Sequence, residues 1–161
     1  MSARSNPSLP PRPGDVVLTW WVPATIALLV VNDHVLKAAW PGLVTGKLSD
    51  LCGLAFFPVL LASAWELVSR ALVRPRAAVA VVVVTGLVFT ATKTLPDAAH
   101  AWGSVLGLLQ WPVRALWHGG VPLVAARVVV DPTDLLTLPV LWLPLARLRA
   151  RASLSARRIS K

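Results

Sequence analysis

Long apolar runs separated by short polar clusters make up most of the chain, and four of these runs are long enough to cross a bilayer. They cover about Val16 to Leu36, about Leu51 to Ser69, about Ala77 to Thr94, and a stretch within Val121 to Ala146. A helix crossing the roughly 30 Å hydrocarbon core needs about 20 predominantly apolar residues, so each run predicts a span. Between the third and fourth runs, Asp97 to His118 is too polar, and too interrupted by Gly103, Gly107 and Pro112, to cross. At about 100° per residue, Trp102, Val105, Leu106, Leu109, Val113, Leu116 and Trp117 share one side of that segment. Gly103, Ser104, Gly107, Gln110, Arg114 and His118 share the other. This predicts a short amphipathic helix lying in the membrane interface. The expected fold is an all-α integral membrane protein: a four-helix transmembrane bundle over residues 16–146, with the interfacial helix between helices three and four.

The flanks differ from this core. Residues 1–15 are rich in Pro and Ser, cannot bury a core, and are expected to form a disordered cytoplasmic N-terminus. No small-residue cleavage site follows the first apolar run, which therefore reads as an uncleaved anchor. Residues 147–161 read as a basic cytoplasmic tail. The composition agrees with a membrane class: 56% of the 161 residues are hydrophobic and 14% charged, where a soluble domain carries about 25% charged residues. The net charge of +9 does not imply nucleic acid. The Arg and Lys residues punctuate apolar runs and are not interleaved with aromatics on a basic face. Their distribution instead sets orientation: with both ends in the cytoplasm, eleven Lys and Arg lie inside and five outside, the bias that retains loops in the cytoplasm. Trp20, Trp21, Trp65 and Trp142 then fall at the inner interface, and Trp40, Trp102, Trp111 and Trp117 at the outer one.

Ionisable residues in a bilayer are costly, and here they cluster. The outer end of the first span carries Asn32, Asp33, His34 and Lys37. The second opens with Thr45, Lys47, Ser49 and Asp50, the third ends in Thr90, Thr92, Lys93 and Thr94, and the fourth carries Arg127, Asp131, Thr133 and Asp134. All four clusters are expected on one face of the membrane. Asp33 and Lys37 have the spacing and order of a helical ion pair. A continuous fourth helix would align Arg127, Asp131 and Asp134 in one stripe. Alternatively, Asp131-Pro132-Thr133-Asp134 reads as a helix start, with Asp131 as N-cap and Pro132 at the first position, so that capping accounts for both aspartates. A helix from Pro132 to Ala146 would rise only about 22 Å, short of the core. Glu66 and Arg70, four apart, read as a structural pair. His34, His100 and His118 show no metal-ligand spacing, and the single Cys52 has no Cys partner, so neither metal nor cofactor is expected.

The Val31-Asn32-Asp33-His34-Val35-Leu36-Lys37 segment, Gly53-Leu54-Ala55-Phe56, and the Asp131-x-x-Asp134 spacing together resemble the lipoprotein signal peptidase family. That resemblance implies four spans, cytoplasmic termini and two catalytic aspartates near the outer face. Asp134 would be one of them. The family's Gly-Asn-x-x-Asp-Arg motif is not present, and Asp97, in Leu95-Pro96-Asp97-Ala98-Ala99-His100, stands nearest to it. Asp131 stands where the family has Asn.

The expected function is that of a small polytopic protein of the bacterial inner membrane whose outer polar cluster binds a lipid headgroup or another membrane protein. Asn32, Asp33, His34, Lys37, Lys47, Asp50, Lys93 and Arg127 are the candidate binding residues. The alternatives are an aspartate-dependent membrane hydrolase that pairs Asp134 with Asp97, Asp50 or Asp33, with Asp131 a further catalytic candidate, and a small transporter or accessory subunit.

Overall fold

A computed structural model describes residues 11–40, 42–120 and 122–159 of the chain, which are helical with no strand among them. Three helices are long and apolar enough to cross a membrane: α1 (Trp21–Ala39), α2 (Leu43–Ser69) and α3 (Pro75–Thr94). They are followed by α4 (Pro96–His118), an extended segment over 122–131, a 3₁₀ helix over Pro132–Leu141, and α5 (Trp142–Ile159). The 3₁₀ helix runs directly into α5, so the two form one rod. The central element is α2, which packs against α1, α3 and this rod; α3 also packs against α4.

Local chemistry sets the boundaries. Pro75 occupies the first turn of α3, where its missing N–H costs nothing. The helix stops at Leu95 because the residue before a proline is pushed out of the α region, and Pro96 then opens α4. The hydroxyls of Thr85, Thr90 and Thr94 each donate to the carbonyl four residues back, and that of Thr92 to the carbonyl of Phe89. An apolar helix satisfies its hydroxyls internally in this way where no water is available. Its outward face, with Val83 and Leu87 exposed, suits lipid contact.

The apolar core lies toward one end, where Val22, Val59, Ala62, Ala78, Val82 and Leu148 are buried together. Glu66, 2% exposed, closes this end. Its carboxylate accepts from the backbone N–H of Gly14 (2.9 Å) and of Val73 (3.0 Å), and from Arg151 Nη1 (3.0 Å). Arg151 also pairs with Asp15. The partner of Glu66 is therefore Arg151, eighty-five residues away, and not Arg70, which ends α2 in the left-handed conformation at φ 52°. The clasp joins the N-terminal segment, the α2–α3 turn and α5. The disorder expected for residues 1–15 falls mainly outside the described residues, but Gly14 and Asp15 are held by this clasp. The basic stretch after Ala146 continues α5 as helix to Ile159.

Two further expectations are corrected. The interfacial helix is not short: α4 has 23 residues. Its Gly103 and Gly107, expected as interruptions on a polar side, are where the extended segment lies against the helix. The Ala126 N–H donates to the Gly103 carbonyl at 2.8 Å. A Cβ on Gly103 would stand 2.3 Å from the Ala126 oxygen, and one on Gly107 2.4 Å from that of Val124. Small residues four apart permit this backbone approach. Because residues 122–131 are extended, the stripe of Arg127, Asp131 and Asp134 does not form.

Candidate functional site

The polar clusters meet at the end of the molecule opposite Glu66. Helix α1 ends in a π turn over Asn32–Leu36. Asn32 is fully buried there, and its Nδ2 donates to the Thr45 carbonyl (2.7 Å) and to Ser49 Oγ (2.8 Å). The Ser49 hydroxyl in turn donates to Asp33 Oδ1 at 2.6 Å. Asp33 and Lys37 form the expected i,i+4 pair at 2.7 Å, with each side chain about two-fifths exposed. An ion pair so open to water contributes ~0.5 kcal/mol at most.

A second, less exposed group lies beside the first. Lys93, near the C-terminus of α3, reaches Asp50 Oδ2 at 2.9 Å and Asp134 Oδ2 at 2.7 Å. Its side chain is 12% exposed, and its ammonium lies 5.5 Å from the centre of the Phe89 ring. Asp134 Oδ1 takes a further bond from Lys47 at 3.0 Å. Lys47 also donates to the Thr133 hydroxyl (2.8 Å), which donates to Asp131 Oδ1 (2.8 Å). Two carboxylates and two ammonium groups from α2, α3 and the 3₁₀ helix are thus joined in one network. Charges brought this far out of water persist only when paired and hydrogen-bonded.

The two aspartates of the Asp-Pro-Thr-Asp sequence have different tasks. Asp131 is the N-cap of the 3₁₀ helix and accepts from the Thr133 N–H at 2.9 Å. The Thr133 hydroxyl and amide hold its carboxyl below the usual carboxylate range. Asp134 does not cap; its carboxylate turns inward to both lysines, so capping explains only one of the pair.

Beside the network is a cavity of about 600 Å³, walled by Asp33, Lys37, Asp50, Lys93, Asp131, Asp134 and Arg127 among others. Arg127 is exposed on the extended segment and, unlike the two wall lysines, pairs with no carboxylate among the described residues. His34 is exposed on α1 and outside this wall; Asp97 is exposed in the first turn of α4, likewise outside it. Asp97 therefore does not pair with Asp134. The carboxylate that approaches Asp134 is Asp50, since both lie within 3 Å of one nitrogen. No three His, Cys, Asp or Glu side chains converge on a metal position among the described residues.

Thr45-Gly46-Lys47-Leu48-Ser49-Asp50, a stretch without a mechanism in the sequence, supplies more of the site than any other. The Thr45 carbonyl and the Ser49 hydroxyl orient Asn32, the Ser49 hydroxyl also orients Asp33, and the charged residues Lys47 and Asp50 bind Asp134 and Lys93. The signal was periodic: Gly46, Asp50, Gly53 and Phe57 share one stripe of α2 at helical spacing. Trp102 meets Phe57 edge-on, with the ring centres 6.2 Å apart. Compared with protein-family models, curated proteins and solved structures, the chain matches none.

Proposed function

We propose that the chain is a four-span protein of the bacterial inner membrane, with both termini in the cytoplasm, and that its outer cavity binds the phosphate-bearing headgroup of a membrane lipid. The fourth span is the rod from Pro132 to Ala146. Ten 3₁₀ residues rise about 20 Å and the five α residues after them about 7 Å. Together they reach close to the thickness of the hydrocarbon core, which an α-helix of the same fifteen residues would not. The length of α2 supports the same placement. Its Leu51–Ser69 portion rises about 28 Å, leaving Asp50 at the membrane boundary. Reporter fusions after Arg76 and after Lys161 are expected to read cytoplasm, and one at Gly119 the outside; a cytoplasmic signal at Gly119 contradicts the topology.

The observation that carries the binding reading is Arg127. Lys37 and Lys93 are paired with Asp33, Asp50 and Asp134, and Asp131 is bonded to Thr133, while Arg127 lines the cavity and pairs with no carboxylate among the described residues, which leaves its guanidinium for a planar, bidentate bond to phosphate. Vesicles of phosphatidylglycerol test the reading: one lipid should remain on the protein after extraction, and inorganic phosphate at millimolar concentration should not displace it.

A second reading is an aspartate-dependent hydrolase, the activity implied by the resemblance to lipoprotein signal peptidase. Its support is the approach of Asp50 to Asp134 beside the cavity. The Lys93 ammonium that binds both carboxylates sets this pair apart from the aspartate pairs of hydrolysis, which share a proton between adjacent carboxyl groups. Transport at mid-membrane is not favoured by a network gathered at the ends of the helices.

A further inference from the structure

Below the polar cavity runs a second one, apolar, of about 530 Å³ between α2 and α3. It extends about 16 Å along α2, from Asp50 to Leu61, and about 12 Å along α3, from Thr92 to Val84. Ser49, Asp50, Phe89, Thr92, Trp102 and Leu106 line both spaces, so the two are continuous. Gly53 lines the groove, and a Cβ built on it would meet nothing within 4 Å. A glycine inside a helix is unfavourable relative to alanine. No close backbone approach requires one here, and its effect is to leave the groove open. Trp102 of α4 closes over Phe57 where the polar and apolar spaces join.

We infer that the groove holds one acyl chain of the same lipid whose headgroup occupies the polar cavity, with Gly53 leaving room for the chain. The inference rests on the headgroup reading. A groove that began and ended in apolar surface would hold bulk lipid indifferently. This one ends at Asp50 and Thr92, where it meets the cavity walled by Lys93 and Asp134, so a chain within it carries its polar end to the ionic wall. Trp102 and Leu106 cover the junction from α4, and Val88 and Phe57 provide opposite apolar sides.

The test uses the full chain in phosphatidylcholine nanodiscs with two photoactivatable probes of identical acyl chains, phosphatidylglycerol and diacylglycerol, each bearing a diazirine midway along one chain. Wild-type protein should be labelled by the phosphatidylglycerol probe in the peptides containing Phe57 and Val88. Gly53→Leu, and independently Val88→Trp from the opposite wall, should reduce that labelling about tenfold, the loss expected when two buried methylenes are displaced. Labelling of the lipid-facing α1 residues Ile26 and Val30 should not change. Groove labelling that survives both substitutions in folded protein overturns the inference. Equal groove labelling by diacylglycerol leaves the chain site standing and removes the headgroup reading. Retention of phosphatidylglycerol without groove labelling does the reverse.

Discussion

Replacing Lys93 with methionine should destabilise the folded protein by about 3–5 kcal/mol, the cost of leaving buried charge uncompensated. The ammonium is the only group bonded to both Asp50 and Asp134 among the described residues. Without it the two carboxylates face one another across the space its nitrogen filled, and Asp134 keeps only Lys47. The effect should reverse when the opposing charge is removed as well. Lys93→Met combined with Asp50→Asn and Asp134→Asn should recover most of the loss, because the three positions form one coupled network and their effects do not add. Thermal unfolding in mild detergent, with the folded fraction checked by gel filtration, reads both results. A Lys93→Met protein as stable as wild type would mean that the ammonium does not hold this end together.

The second large effect is expected at the opposite end. Glu66→Ala removes a buried carboxylate that satisfies two backbone amides and one guanidinium at once. The buried Val73 and Gly14 amides then lose their acceptor, and Arg151 keeps only Asp15 and the Arg12 carbonyl, which places the cost at about 3–5 kcal/mol. Because the clasp joins three separated segments, the loss should be visible locally as well. Limited proteolysis should cut the N-terminal segment near Gly14 in Glu66→Ala and spare it in wild type. Arg70→Ala is the control. Arg70 makes no ion pair among the described residues, and its removal should leave both stability and the cleavage pattern unchanged.

The three long apolar helices, the clustering of polar residues at one end and the Asp33–Lys37 pair were all legible from periodicity and spacing, because hydrophobic length and i,i+4 geometry are local properties. What was not legible depended on distant partners. Glu66 has a basic residue four positions on, yet the chain brings Arg151 to it across eighty-five positions. Asp134 has the sequence context of a cap, but two lysines from other helices turn it inward. The 3₁₀ geometry of Pro132–Leu141 was hidden because so long a run of that helix is uncommon. Its prolines indicated a break and not a change of rise. That rise carries Pro132–Ala146 over about 27 Å, where an α-helix of the same residues covers about 22 Å. In the sequence the glycines of α4 read as breaks, because nothing in the local pattern announces the extended segment that packs on them.

Arg127 separates binding from architecture most cleanly. It is exposed, pairs with no carboxylate among the described residues, and lies on the cavity wall. Arg127→Gln should therefore leave the unfolding temperature unchanged while removing a charge-assisted bond to phosphate, worth about 1.5–3 kcal/mol or roughly ten- to hundredfold in affinity. The decisive measurement is native mass spectrometry of wild type and Arg127→Gln extracted from vesicles of equal parts phosphatidylglycerol and phosphatidylcholine. One phosphatidylglycerol retained by wild type and lost from an equally stable Arg127→Gln protein is the expected result. Equal retention by the two proteins, or no lipid retained by wild type, would contradict a headgroup site in this cavity.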